Sequence, residues 1–138
     1  MRRAVFNLEP FDWAVEVCIA IRKLDGGYVL SRLSELGASR KVMLSAADLI
    51  DSWSPNKGLT YSNKHTKESI VVVGITSSPA EFQNSLQHEL RHLCNDIAMA
   101  FKLDWRSEKV AYLVGDINAV IFPFVHDLLC PKCRARQK

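Results

Sequence analysis

The sequence predicts an α+β fold: a small sheet, with a long helix packed against the helix that follows it. Three observations lead there. Residues 12–21 alternate polar and apolar with a period of two. Residues 70–75, IVVVGI, form a β-branched run. Ser78-Pro79-Ala80-Glu81 spells a helix start, with serine as N-cap, proline at the first helical position and glutamate placed to reach back. At 138 residues the chain has the length of one domain, able to hide roughly two thirds of its unfolded surface without staples. That domain is expected over residues 1–129, with a basic tail over 130–138.

Each element follows from its residues. Trp13, Val15, Val17, Ile19 and Ile21 alternate with Asp12, Ala14, Glu16, Cys18 and Ala20, as a strand with one buried face requires. After Asp25-Gly26-Gly27, Val29, Leu30, Leu33 and Leu36 fall at helical spacing, and Gly37 supplies a stop. A second short helix is expected near 46–53, ended by Ser54-Pro55. Residues 54–68, SPNKGLTYSNKHTKE, are polar with Gly and Pro and read as a loop. The strand at 70–75 comes next, and the helix opened at Ser78 runs to about Phe101. A turn over 102–106 leads to Ser107, which caps a helix from Glu108. Pro123 should kink or end that helix, with helical character resuming as far as Leu129.

Charge and termini narrow the function classes. The net charge is +3, but Lys132, Arg134, Arg136 and Lys138 supply four positive charges, leaving the rest of the chain at −1. Nucleic-acid binders spread basic residues over a face of the fold, so nucleic acid is not the expected partner, and only the tail would serve one. The start, MRRAVFNLEPFDWAVEV, has no unbroken apolar core for an export signal, and no run of about 18 apolar residues suggests a membrane span. The expected location is the cytoplasm, where Cys18, Cys94, Cys130 and Cys133 would stay reduced.

Residues 86–94, LQHELRHLC, carry H-E-x-x-H. On a helix, His88 and His92 lie one turn apart and project from one face, so their imidazoles can converge on one ion. Zinc suits imidazole nitrogen, and a catalytic site adds a third protein ligand and an open water position. Glu89, beside the first histidine, is placed to take a proton from an activated water and pass it to a leaving amine. Phe82, Leu86, Leu90, Leu93, Ile97 and Phe101 cluster within roughly 120° of the helix circumference. The histidines lie nearly opposite, so they are not core residues.

The following helix is apolar on every side, with Val110, Leu113, Val114, Ile117, Val120 and Ile121 on one face and Tyr112, Ala119 and Phe122 on the other. Such a helix is expected to be covered on both faces. Gly115 and Ala119, on the face of Glu108, permit close approach of a neighbour, and the short turn makes the motif helix that neighbour. Glu108 would then approach the histidines, with Met99 packing at the contact. Metzincins need Gly at 95 and His at 98; Asn95 and Ala98 exclude that class. Glu108, sixteen residues past His92, is the expected third ligand. Asp104 is the competing one, and Asp116 lies two turns too deep.

The run GLTYSN…SIVVVGITSSPAEFQNSLQHELRHL…LDWRSEKVAYLVGDI, residues 58–118, resembles small zincin-like proteins of gluzincin pattern met in bacterial genomes and their phages or mobile elements. The shared features are the strand leading into the motif helix, H-E-x-x-H, and a glutamate before A-Y-L-x-G. The resemblance implies a minimal zincin-like domain with His88, His92 and Glu108 as zinc ligands and Glu89 as general base. It also implies that the strand at 70–75 borders a cleft holding an extended peptide.

The expected function is zinc-dependent hydrolysis of a peptide or amide bond, with a peptide or protein as substrate. The alternative is a non-catalytic metal-binding or protein-interaction protein of the same fold. Tyr112 is a candidate for stabilising the transition state, or a helix-packing aromatic. Cys130 and Cys133 supply two ligands where a structural zinc needs four. His126 is a candidate third ligand and a partner chain could complete the set; a redox pair or a frayed terminus are the other readings. His65 reads as a surface residue and Cys94 as core.

Overall fold

The computed structural model describes residues 1–132. Cys133 and the arginines of the tail lie outside the described residues. Four strands form one sheet: β1 (Arg2–Leu8), β2 (Trp13–Ile21), β3 (Gly58–Asn63) and β4 (Glu68–Gly74), in the order β1-β2-β4-β3. β1 runs antiparallel to β2, and β3 antiparallel to β4, while β2 and β4 are parallel. A parallel pair cannot be closed by a tight turn. The crossover here contains α1 (Gly26–Glu35), α2 (Arg40–Asp51) and β3 itself. Helices α3 (Pro79–Ala100) and α4 (Glu108–Val125) follow β4. Among the described residues the architecture is α+β, with a four-stranded mixed sheet and four α-helices.

The sheet is covered on both sides. Trp13, Val15, Val17, Ile19, Val71 and Val73 pack against Phe82, Leu86, Leu93 and Ile97 of α3 and Leu113, Ile117 and Ile121 of α4. The opposite face, with Cys18, Ile70 and Val72, packs against Val29 and Leu33 of α1 and Ala46 and Ile50 of α2. The alternation over 12–21 does mark a strand, but not one with a single buried face. β2 is interior, and Glu16 and Cys18 are buried as well. Ile21 leaves the face of Ile19 because Ala20 takes φ 58° at a break in the β2–β4 register. That irregularity turns Ile21 towards α1 and α2.

Glu16 is a buried carboxylate among donors. Arg3 Nε, Arg32 Nε (2.8 Å) and Tyr28 Oη (2.5 Å) all donate to it. Burial pushes its pKa up, but hydrogen bonds from Arg32, Tyr28 and Arg3 outweigh that, and the carboxyl sits below its ordinary value. Burial and the bond to Glu16 push the Tyr28 hydroxyl up to about 12. A carboxyl depressed in the folded state stabilises the protein above its unfolded value of 4.5, and the contribution is lost as pH falls through the folded value. Glu16→Gln should therefore lower the melting temperature at pH 7, and the gap to the native protein should shrink below pH 4.5, as read by melting curves across that range.

Three elements depart from the sequence expectation. The supposed loop over 54–68 contains β3, and α2 starts at Arg40, where the Ser39 hydroxyl accepts from Val42 N–H, rather than near 46. Pro123 does not end α4, which continues to Val125, and a 3-10 turn over His126–Leu128 carries helical character nearly to Leu129, as expected. α4 is also not covered on both faces. Tyr112, Val114, Val120 and Phe122 are exposed, while Val110, Leu113, Ile117, Ile121 and Val125 are buried. The span Glu108–Leu128 is long and apolar enough to cross a membrane by length and composition. The core helix of a water-soluble domain passes the same test, and one side of α4 is part of the core.

Candidate metal centre

The motif helix is fixed at its start. Ser78 Oγ accepts from Glu81 N–H at 3.1 Å and Pro79 opens the helix, as the sequence implies, although Glu81 turns towards Asn84 rather than back to the cap. With the phase set, Leu86, Leu90, Leu93 and Ile97 face the sheet and α4, and His88 and His92 stand outside. Their Nε2 atoms are 3.3 Å apart, with ring centroids at 5.0 Å. Two nitrogens at zinc-bond length on a tetrahedral ion would sit about 3.3 Å apart. The same separation is also that of one neutral ring donating to the other.

Glu89 is turned the other way, into the protein. It is 5 % exposed, and its Oε2 accepts from Thr60 Oγ1 at 2.6 Å. Its Oε1 lies 4.0 Å from His88 Nε2. Thr60 is on β3, so the edge strand of the sheet orients this carboxylate. β3 can come that close because residue 58 is glycine. A Cβ there would lie 2.7 Å from the Val72 carbonyl oxygen and 3.0 Å from both Cγ and Oε1 of Glu89. Gly58→Ala should thus cost about 1–3 kcal/mol, read by denaturant unfolding. It should also displace Glu89, seen as a shift of the Thr60 and Glu89 amide resonances beyond that of other β3 residues.

His88, Glu89, Ser85, Gly58, Asn56 and Lys57 line a cleft of about 320 Å³. The strand bordering it is β3, not the one at 70–75, because β4 is interior between β2 and β3. Among the described residues β3 pairs with β4 alone, and no strand pairs with its other edge.

The structure brings His88, His92 and Glu89 together, and leaves Glu108 apart. The helix hairpin sets the level: Gln87 Nε2 donates to Asn118 Oδ1 at 2.7 Å. Glu108 lies ten residues before Asn118 on α4, about 15 Å along the axis. The side of α3 that meets α4 carries Gln87, Leu90 and Arg91, opposite Val114, Ile117 and Asn118, so the histidines do not face the second helix. Asp104 stays in the turn, accepting from Arg106 N–H. Asp116 and Tyr112 line a separate groove beside Phe11 and Phe101. Tyr112 is thus neither at the site nor a buried packing residue. Met99 is exposed rather than packed at the helix contact. Among the described residues, no group of three or more His, Cys, Asp or Glu side chains is arranged to hold a metal ion.

The remaining expectations fall outside this cleft. His65 is exposed in the β3–β4 turn, and Cys94 is buried, where desolvation raises its thiol pKa. His126 stacks near Phe122, with centroids at 5.6 Å. Cys130 is half-buried, and its partner in C-x-x-C is outside the described residues. Sequence reasoning missed Thr60 and Gly58 because their strand was read as loop. The one available signal was the alternation of Leu59 and Tyr61 with Thr60 and Ser62. Comparison of this chain with protein-family models, curated proteins and solved structures gave no match.

Proposed function

We propose that this chain is a zinc-dependent hydrolase of peptide bonds, in which His88 and His92 hold the ion and Glu89 is the general base. The observation that supports this most directly is the 3.3 Å convergence of two imidazole nitrogens beside a buried carboxylate anchored by Thr60. The chemistry that a bound zinc supplies is Lewis-acid activation of water and of a carbonyl oxygen. Glu89 Oε1 takes the proton of the attacking water and returns it to the departing amine. Thr60 holds Oε2, so the accepting oxygen keeps one orientation towards the cleft. The free edge of β3 offers main-chain hydrogen bonds to an extended substrate. His88 and His92 would be the residues that hold the ion; Asp104 stays in the turn after α3, and Glu108 lies about 15 Å along α4 from the level of the histidines.

A second reading, a cleft that binds a metal or a partner protein without cutting, draws support from the same pair. Two protein ligands are fewer than the three of catalytic zinc sites. One experiment separates the two. Protein dialysed against zinc should retain about one ion per chain and cleave a mixed-sequence fluorogenic peptide library until a chelator is added. Failure to take up zinc on titration removes the metal from both readings. Uptake without cleavage favours the second.

A further inference from the structure

Helix α4 is apolar around nearly its whole circumference, and the fold covers one side of it. In its most apolar window 28 % is buried. Tyr112 is 69 % exposed and Phe122 56 %. Ala111, Gly115 and Ala119 are exposed between them, and a side chain at Gly115 would meet nothing within 4 Å. A continuous apolar patch of this kind marks an interaction surface.

We propose that a second copy of this chain covers it, the two α4 helices packing antiparallel about a two-fold axis at the level of Ile117. The order of residues along the outer face supports that occupant, because it is complementary to its own reversal. An axis at position 117 sets each residue against the one equally far on the other side. Gly115 meets Ala119, where backbones come closest, and Tyr112 meets Phe122 on the flanks. Glu108 meets His126 at each end, an acid against an imidazole. A parallel pair would instead set Glu108 against Glu108, which like charge disfavours.

Lys109 and Asp116 lie to the side, along the groove beside Phe11, so no charge falls in the middle of the contact. A lipid surface fits less well, since interfacial helices carry a basic polar face and the opposite face of α4 is buried in the core. An isologous contact of this kind is the commonest form of soluble dimer. One helix of 18 residues per copy makes a small interface, so dissociation on the order of micromolar is expected. The cleft at His88 opens away from α4, and pairing leaves it accessible.

Sedimentation velocity of the full chain from ~1 to ~100 µM should show a monomer of 15.6 kDa giving way to twice that mass. Phe122→Glu and Ala119→Glu, both at exposed positions, should each raise the dissociation constant at least ~10-fold without changing the far-ultraviolet spectrum. A disulfide test fixes the register independently of those variants. In chains with Cys130→Ser and Cys133→Ser, an equimolar mixture of Gly115→Cys and Ala119→Cys protein should cross-link under mild oxidation, and each alone should not. A monomer throughout the concentration range would overturn the proposal, as would a dimer indifferent to Phe122→Glu. Cross-linking of Gly115→Cys to itself would mean a parallel pair, and a monomer that floats with phosphatidylcholine vesicles would mean a lipid partner. Either result would also overturn it.

Discussion

Exchanging Glu89 for glutamine should reduce peptide hydrolysis by a factor of about 10² to 10⁴ while leaving zinc retention unchanged. In the proposed mechanism the two effects separate because the side chain does two jobs through different atoms. Oε2 accepts from Thr60 at 2.6 Å, and a glutamine oxygen can still accept there. The volume is the same, so the contact of Glu89 with Gly58 stays filled. Proton transfer needs a carboxylate, and glutamine has none at any working pH. Steady-state turnover on a fluorogenic peptide, read beside elemental analysis of the same preparation, checks both halves. Undiminished turnover would remove Glu89 from the reaction. Loss of zinc along with turnover would make the carboxylate a ligand rather than a base.

The largest effect on stability is expected at Trp13. Its side chain is fully buried, and its Nε1 donates to Ser69 Oγ at 2.8 Å. Phe101 packs against it with ring centroids 6.3 Å apart. Trp13→Ala should cost about 3–5 kcal/mol, through lost burial and the cavity left behind. That corresponds to a fall in melting temperature of roughly 10–20 °C. Trp13→Phe keeps much of the apolar area but strands the hydrogen-bonding chain that continues from Ser69 to Ser62, and should cost roughly 1–3 kcal/mol. Thermal melts of the two variants test this order. Equal losses would mean that the hydrogen bond, not the packing, holds the position.

Long signals in the sequence were legible. The serine cap and proline of α3, the period-two run of β2 and the β-branched run of β4 each specify an element from local chemistry alone. The histidine pair was legible too, because helical periodicity fixes where residues four apart point. What escaped depends on neighbours distant in sequence. β3 is half-buried along its length, so neither face is apolar enough to declare a strand among Gly, Asn and Lys. The second buried face of β2 comes from α1 and α2, which nothing within residues 13–21 announces. Glu108 seemed placed by proximity in sequence. A helix hairpin, however, sets the start of its second arm beside the end of its first, and α3 runs twelve residues beyond His88. The length of the first arm, more than the shortness of the turn, decides what meets the histidines.

The path of the chain between β2 and β4 also bears on when the cleft can come into existence. Ala14 pairs with Glu68, 54 positions later, a closure that carries a larger entropic cost than a hairpin and slows assembly. Among the described residues, β3 is held in the sheet by β4 alone. Thr60 and Gly58 therefore reach their positions only once β4 is in place, and Glu89 only once α3 has docked on both. During synthesis, the β1–β2 hairpin can form early. The carboxylate and its hydroxyl partner belong to elements far apart in sequence, so the site cannot take shape before α3 has left the ribosome.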